Sequence, residues 1–332
     1  MDLEDLIKKI GIKPSTKRNE ALDIYIKNSQ NKARLEILLS EFLRITSDKS
    51  TPTFGGLWLD EQVKGYYNYL DKNINNFDFD LADVAKLTGN AQLYKIIGSD
   101  ENTNSKFGLF LSALINKNIK QGEKVQIITS KPIHCLFYKL ENAEAYVNIA
   151  GDYLGRVAKN SNIYAEEAGD DAGKDIDGCE LHVKKAGKLL GCDANNSKIY
   201  AEEAGYGAGY YIKDCELHVK KAGDFLGFWA KNSNICADKA GFAAGNQMKN
   251  CELHAKKAGN NLGSGAQNSK IYADKVGNLD DSCFRGNNEI YLGEESYKKF
   301  IQNYPKYINK VKLWEKQKQN VDVGLGDYYG SK

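Results

Sequence analysis

Proline is scarce in this chain: four residues in 332, beside 31 glycines. Disordered linker-type chains are rich in proline, so that class is excluded. The glycine excess instead points to fixed backbone positions that glycine takes without strain. A dominant charge is missing as well. With 46 basic and 44 acidic residues the formal net charge is +2, so bulk electrostatics select neither nucleic acid nor membrane as a partner. Long apolar runs are lacking; the longest, "FGLFLSALI" from Phe107 to Ile115, is far short of the roughly 20 residues a bilayer span needs. The start, "MDLEDLIKKIGIKPSTKR", is amphipathic with early acids, unlike a secretory signal. The seven cysteines are odd in number and lack small-domain disulfide spacing, which fits a reducing compartment. The expected location is the cytoplasm.

What the chain does contain is a repeat. From Ala150 it falls into lines of 18 without a gap: "AGDYLGRVAKNSNIYAEE", "AGDDAGKDIDGCELHVKK", "AGKLLGCDANNSKIYAEE" and onward through "AGNNLGSGAQNSKIYADK". A further line from Val276 decays and carries one extra residue, and earlier coils are legible in "ENAEAYVNI" and "EKVQIITS". Eighteen residues is too short for a helical hairpin repeat and suits one turn of a β-solenoid. One column reads Ala145, Ile163, Leu181, Ile199, Leu217, Ile235, Leu253, Ile271; two residues on, it reads Val147, Ala165, Val183, Ala201, Val219, Ala237, Ala255, Ala273. Both columns must point inward from one strand. Glycine recurs in the columns of Gly151 and Gly155, where a positive φ or a close approach between coils is expected. Asparagine recurs in the column of Asn160, at a corner.

Two line types alternate for reasons of charge and volume. After the strand, Glu166, Lys184, Glu202, Lys220, Asp238, Lys256 and Asp274 alternate in sign. Coils stack about 4.8 Å apart, so a strict repeat would superpose like charges. Leu154, Ala172, Leu190, Ala208, Leu226, Ala244 run against Ala158, Ile176, Ala194, Ile212, Ala230, Met248, which keeps each coil's filling constant.

The segments "CELHVKKAG" at Cys179 and Cys215, and "CELHAKKAG" at Cys251, contain ligand-type residues. On a strand, however, cysteine and histidine three apart face opposite sides. Successive histidines stand two coils, roughly 9–10 Å, apart, too far to share one zinc ion or, for the cysteines, one disulfide. No metal and no cofactor are expected. The candidate interaction face is instead the outward column Tyr164, His182, Tyr200, His218, His254, Tyr272, because aromatics are enriched at interfaces. A second candidate is Lys221, Lys239, Lys257 and Lys275, where alternation is abandoned and an acidic partner would relieve the stacked charge.

Around the repeat, residues 1–98 read as a helical domain or cap, from "NEALDIYIKNSQNKARLEILLSEFLRIT", "LDEQVKGYYNYLDKNI" and "DLADVAKLTGNAQLYKII". Residues 99–142 form a transition with first irregular coils and strand-like "KVQIITS" and "HCLFYKL". The solenoid spans 143–293, a helical cap interrupted near Pro305 spans 294–319, and 320–332 is expected to be a mobile tail. "DVAKLTGN" (Asp83 to Asn90) resembles the opening of repressor helix-turn-helix segments but lacks their spacing into a recognition helix, so nucleic acid is not the expected partner.

With "AGDYLG", "AGKLLG" and "AGDFLG" each followed by a small-residue pair and a short aliphatic strand, residues 143–293 resemble the glycine-patterned right-handed β-helix family. That family includes the C-terminal domain of the glutamate synthase large subunit and one subunit of formylmethanofuran dehydrogenase. The resemblance implies a single-stranded right-handed parallel β-helix with a structural role beside catalytic parts. A left-handed hexapeptide helix ranks second, since a split into "AGKLLG", "CDANNS" and "KIYAEE" loses periodicity. The expected function is a non-catalytic scaffold or protein-interaction module. The alternatives are a carbohydrate-active or acyl-transferring solenoid enzyme, whose outward Glu180, Glu216 and Glu252 repeat without forming a unique cluster, and nucleic-acid binding through the N-terminal region.

Overall fold

The computed structural model describes residues 34–46, 60–74, 79–88 and 100–314. The chain divides into two compact units, Met1–Asp48 and Lys49–Lys332. In the first, helix α1 spans 34–46, and Leu38, Phe42 and Ile45 are its buried apolar stripe.

The described residues of the second unit include helices α2 (Asp60–Asn73), α3 (Leu81–Thr88) and α4 (Glu101–Asn118) ahead of the sheet. Helix α4 starts at Asp100, whose carboxylate accepts the Thr103 amide as an N-cap. The run "FGLFLSALI" is buried within it. Ser112 Oγ donates to the Cys135 carbonyl at 3.0 Å, and Asn116 Nδ2 donates to Tyr67 Oη and the Tyr138 carbonyl. Thr88 Oγ1 reaches the Ile128 carbonyl. Helices α3 and α4 thus lie against the first coil and cover it.

Among the described residues eleven strands follow, all parallel, in one sheet whose spatial order is the chain order. They are β1 (Lys124–Ile127), β2 (Glu144–Ile149), β3 (Asn162–Ala168), β4 (Glu180–Ala186), β5 (Lys198–Ala204) and β6 (Glu216–Ala222). Next come β7 (Asn234–Ala240), β8 (Glu252–Ala258), β9 (Lys270–Val276), β10 (Glu289–Leu292) and β11 (Val311–Leu313). From β2 to β9 the register matches the 18-residue lines: Ile163 opposes Leu181, which opposes Ile199. The extra residue of the decaying line lies between β9 and β10, where Ile271 opposes Ile290. Away from the sheet the coils remain bonded: Lys159, Asp177, Asn195, Lys213, Lys231 and Lys249 form a chain of parallel bridges. In the turns the Gly173 and Gly191 amides donate to Leu154 and Ala172.

The two expected inward columns are buried along their length, as are both volume-alternating columns from Leu154 and Ala158 through Ala244 and Met248. The glycine columns divide the two expected roles. Gly227, at φ +66°, is left-handed, and an added Cβ would also lie 2.4 Å from Ile235 Cδ1. Gly223 has an ordinary φ, but a Cβ there would lie 2.8 Å from the Gly205 carbonyl carbon of the coil before. Each coil from Ala150 to Lys275 has three further left-handed positions, and bulky residues occupy several of them: Tyr153 and Val157 have φ +62° and +53° and Asn160, at the corner, +47°. At the asparagine corner, Asn250 Nδ2 donates to Asn232 Oδ1 and Asn232 Nδ2 to Asp214 Oδ1, both at 3.1 Å.

At the end, α5 (Glu294–Asn303) covers the last coils, with Phe300 buried against Phe284 at 5.4 Å between centroids. The structure differs from the sequence expectation at two segments. "HCLFYKL" is the first turn segment, not a strand, since Cys135, Phe137 and Lys139 sit at φ +56°, +61° and +55°. The expected C-terminal helix stops at Asn303; Pro305–Lys310 is a 3-10 turn and "VKL" joins the sheet as β11. The tail 320–332, and any helix following "DVAKLTGN", lie outside the described residues.

Candidate functional site

The outer face of the sheet carries the aromatic column. Tyr164 opposes His182, His182 opposes Tyr200, and Tyr200 opposes His218. Their rings stack at 4.9, 4.6 and 5.2 Å with planes 14–15° apart. The next position is Cys236, after which His254, Tyr272 and Tyr291 stack at 4.3 and 4.6 Å. The ladder therefore consists of two stacks separated by one ringless step. His182, outward by register, is only 2% exposed because tyrosine rings cover both its faces. His182 Nε2 is 2.7 Å from Glu180 Oε1, and His254 makes the same contact with Glu252. Trp314 leans edgewise on His254 at 6.3 Å. Burial, followed by Lys198, lowers the pKa of His218 below its ordinary value despite Glu216. Burial, with Glu252 and Glu216, pushes the Cys236 thiol up to about 11. The ring faces are thus in contact with one another, and each stack ties successive coils together.

The lysine candidates separate into two kinds. Lys221 is bonded to Glu203, and Lys275 to Glu295 of α5 at 2.9 Å. Between them, Lys239 and Lys257 are exposed and have no ion-pair partner among the described residues. The strictly alternating column forms ion pairs: Lys184 with Glu166 at 3.4 Å, Lys220 with Glu202 at 3.3 Å, and Lys256 with Asp238 at 2.7 Å.

A third surface escaped the sequence reading. On the turn side of three consecutive coils, Tyr206, Tyr210, Tyr211, Phe225, Phe228, Trp229 and Phe242 form one connected ring cluster. Tyr206 meets Phe225 at 5.3 Å, Tyr210 stacks on Phe228 at 4.6 Å, and Phe225 meets Phe242 at 5.6 Å. Tyr211 stacks on Trp229 at 6.3 Å. Despite these contacts Tyr206 is 45%, Tyr211 47%, Trp229 40% and Phe242 40% exposed. Tyr211, Phe225 and Trp229 occupy left-handed backbone at φ +58°, +60° and +58°, where a bulky residue is disfavoured. Other coils hold Tyr153, Asp171, Leu189, Ala243 and Asn261 in the column of Phe225, and Val157, Asp175, Asp193, Gln247 and Gly265 in that of Tyr211 and Trp229, so the rings cluster only here. The available signal was that local departure from the repeat.

No known family, curated protein or solved structure matches this chain. Among the described residues no helix is long and apolar enough to cross a membrane.

Proposed function

We propose that this chain is a right-handed β-solenoid scaffold, of the glycine-patterned kind it resembles, that docks a protein partner on the turn face of its middle coils. The carrying observation is the seven-ring cluster, confined to three coils and exposed at four of its rings. Contiguous apolar surface of that kind marks interaction sites in soluble proteins. Only the middle coils put rings at two neighbouring left-handed columns, with Tyr211, Phe225 and Trp229, where other coils carry a single ring, aliphatic or polar residues, or glycine. The enzymatic alternative has less support, since Glu180 and Glu252 are bonded to the histidines two residues on.

The test uses the full chain, wild type and Tyr211→Asn with Trp229→Asn. Asparagine accepts the backbone there, so the fold is expected to persist, with circular dichroism as the control. Affinity purification from the native organism should recover proteins with wild type that are lost with the double variant. Recovery of the same proteins with both, or of the chain alone, would overturn the reading.

A further inference from the structure

We infer that the partner's docking segment is a short amphipathic α-helix whose apolar face is edged by acidic side chains; this rests on the scaffold reading above. Along each coil's circumference the ring cluster is bordered by lysines. Lys213, Lys231 and Lys249 follow the ring-bearing turns in three successive coils, joined to one another as backbone bridges. Lys221 and Lys239 precede the second and third of those turns, on paired strands. Lys231, Lys249 and Lys239 are exposed and have no anionic partner among the described residues. Of the acids nearby, Asp214 is paired with Lys213 at 3.8 Å and accepts from Asn232, and Asp224 accepts the Phe242 amide at 2.7 Å, which leaves the net rim charge to Lys231, Lys249 and Lys239. An apolar centre with a basic rim is complemented by an apolar strip with an acidic rim.

Backbone geometry selects a helix over a strand. The Tyr211, Phe225 and Trp229 amides already donate to Phe228, Phe242 and Asn246 in the next coil at 2.8–3.0 Å, so no open edge invites strand addition. A helix satisfies its own backbone and contacts through side chains alone. Three coils about 4.8 Å apart, with the ring width added, match two to three helical turns at about 1.5 Å per residue. Single-stranded nucleic acid fits less well. Tyr210 on Phe228 and Tyr211 on Trp229 stack with planes 22° and 26° apart, so each ring already has a face turned to its neighbour, whereas bases need free faces. A second copy of the chain would bring one basic rim against another.

The probes are two labelled helical peptides of about four turns, identical in a leucine face and bordered by glutamate in one and lysine in the other, with an oligothymidine. Fluorescence polarisation with the full chain should give the glutamate peptide at least about tenfold tighter binding than the lysine peptide, weakening with salt. Lys231→Glu with Lys249→Glu should reverse that preference, a result that misfolding would not produce. Equal binding of the peptides, no binding by either, or tighter binding of the oligothymidine would overturn the inference. If native partners are lost with the Tyr211 and Trp229 variant while the peptides show no preference, only the partner's chemistry falls. If native partners are indifferent to that variant, the scaffold reading falls as well.

Discussion

Lys221 and Lys239 oppose each other directly in β6 and β7, the first place in their column where charge fails to alternate. Upstream, Glu167 faces Lys185, Lys185 faces Glu203, and Glu203 faces Lys221. Lys239→Glu would restore an anion between Lys221 and Lys257. Both residues are at the surface, so the expected gain is a small rise in the urea midpoint that shrinks as salt is added. The same change should weaken binding of the glutamate-edged peptide. A stability gain joined to a binding loss would mean that Lys239 is kept for the partner and not for the fold.

Leu226 and Ala230 are both fully buried in one coil, and the coil before it places Ala208 and Ile212 in the same columns. Ala230→Ile alone overfills the coil and should cost about 1–3 kcal/mol. Leu226→Ala alone leaves a cavity and should cost about 2–5 kcal/mol. The double variant restores the filling and should lose clearly less than the sum of the two. Chemical denaturation of the four proteins measures the coupling; strict additivity would show that the coils are not filled by compensation within each turn.

The sequence carried the coil because its signals are periodic. Ile163 over Leu181 over Ile199 needs nothing but a repeat length to be read. The left-handed positions were legible only where glycine or asparagine held them; Tyr153, Val157 and Leu189 at positive φ carry no such mark. His182 lies on the outward side by register yet is enclosed between two tyrosine rings, and no pattern in the sequence marks that, since face and exposure differ once neighbours stack. The ring cluster was missed because a search for regularity reads departures as decay, and Tyr206, Phe228 and Trp229 lie in turn columns where other coils hold Asp170, Lys174 and Asp193. Strand β11 was hidden because three residues show no period and an amphipathic pattern ran on past Pro305.

Cys236 is the missing rung of the aromatic ladder. It is 9% exposed and lies between His218 and His254, in a column where Tyr164, Tyr200 and Tyr272 alternate with the histidines. Cys236→Tyr should be accepted without repacking and should join the two stacks into one. The expected gain is about 0.5–1.5 kcal/mol for the added ring contacts, read as a rise in thermal midpoint. A fall would mean that the neighbouring side chains have closed over the step.

His218 makes the fold sensitive to acid in a direction that can be worked out. Its folded pKa lies below the ordinary histidine value of 6.5, through burial first and then Lys198. Between the two values the unfolded chain binds more protons than the folded one. The stability contribution is therefore fully present above pH 6.5 and is lost as pH falls through 6.5 toward the folded pKa. Other groups titrate over that range too, so the comparison is with His218→Tyr, which keeps a ring in the ladder without the ionisation. Urea midpoints followed from pH 7.5 to pH 5 should fall more for wild type than for the variant. Parallel curves would place His218 in water in the folded state, and with it the solvent-exposed end of the first ring stack.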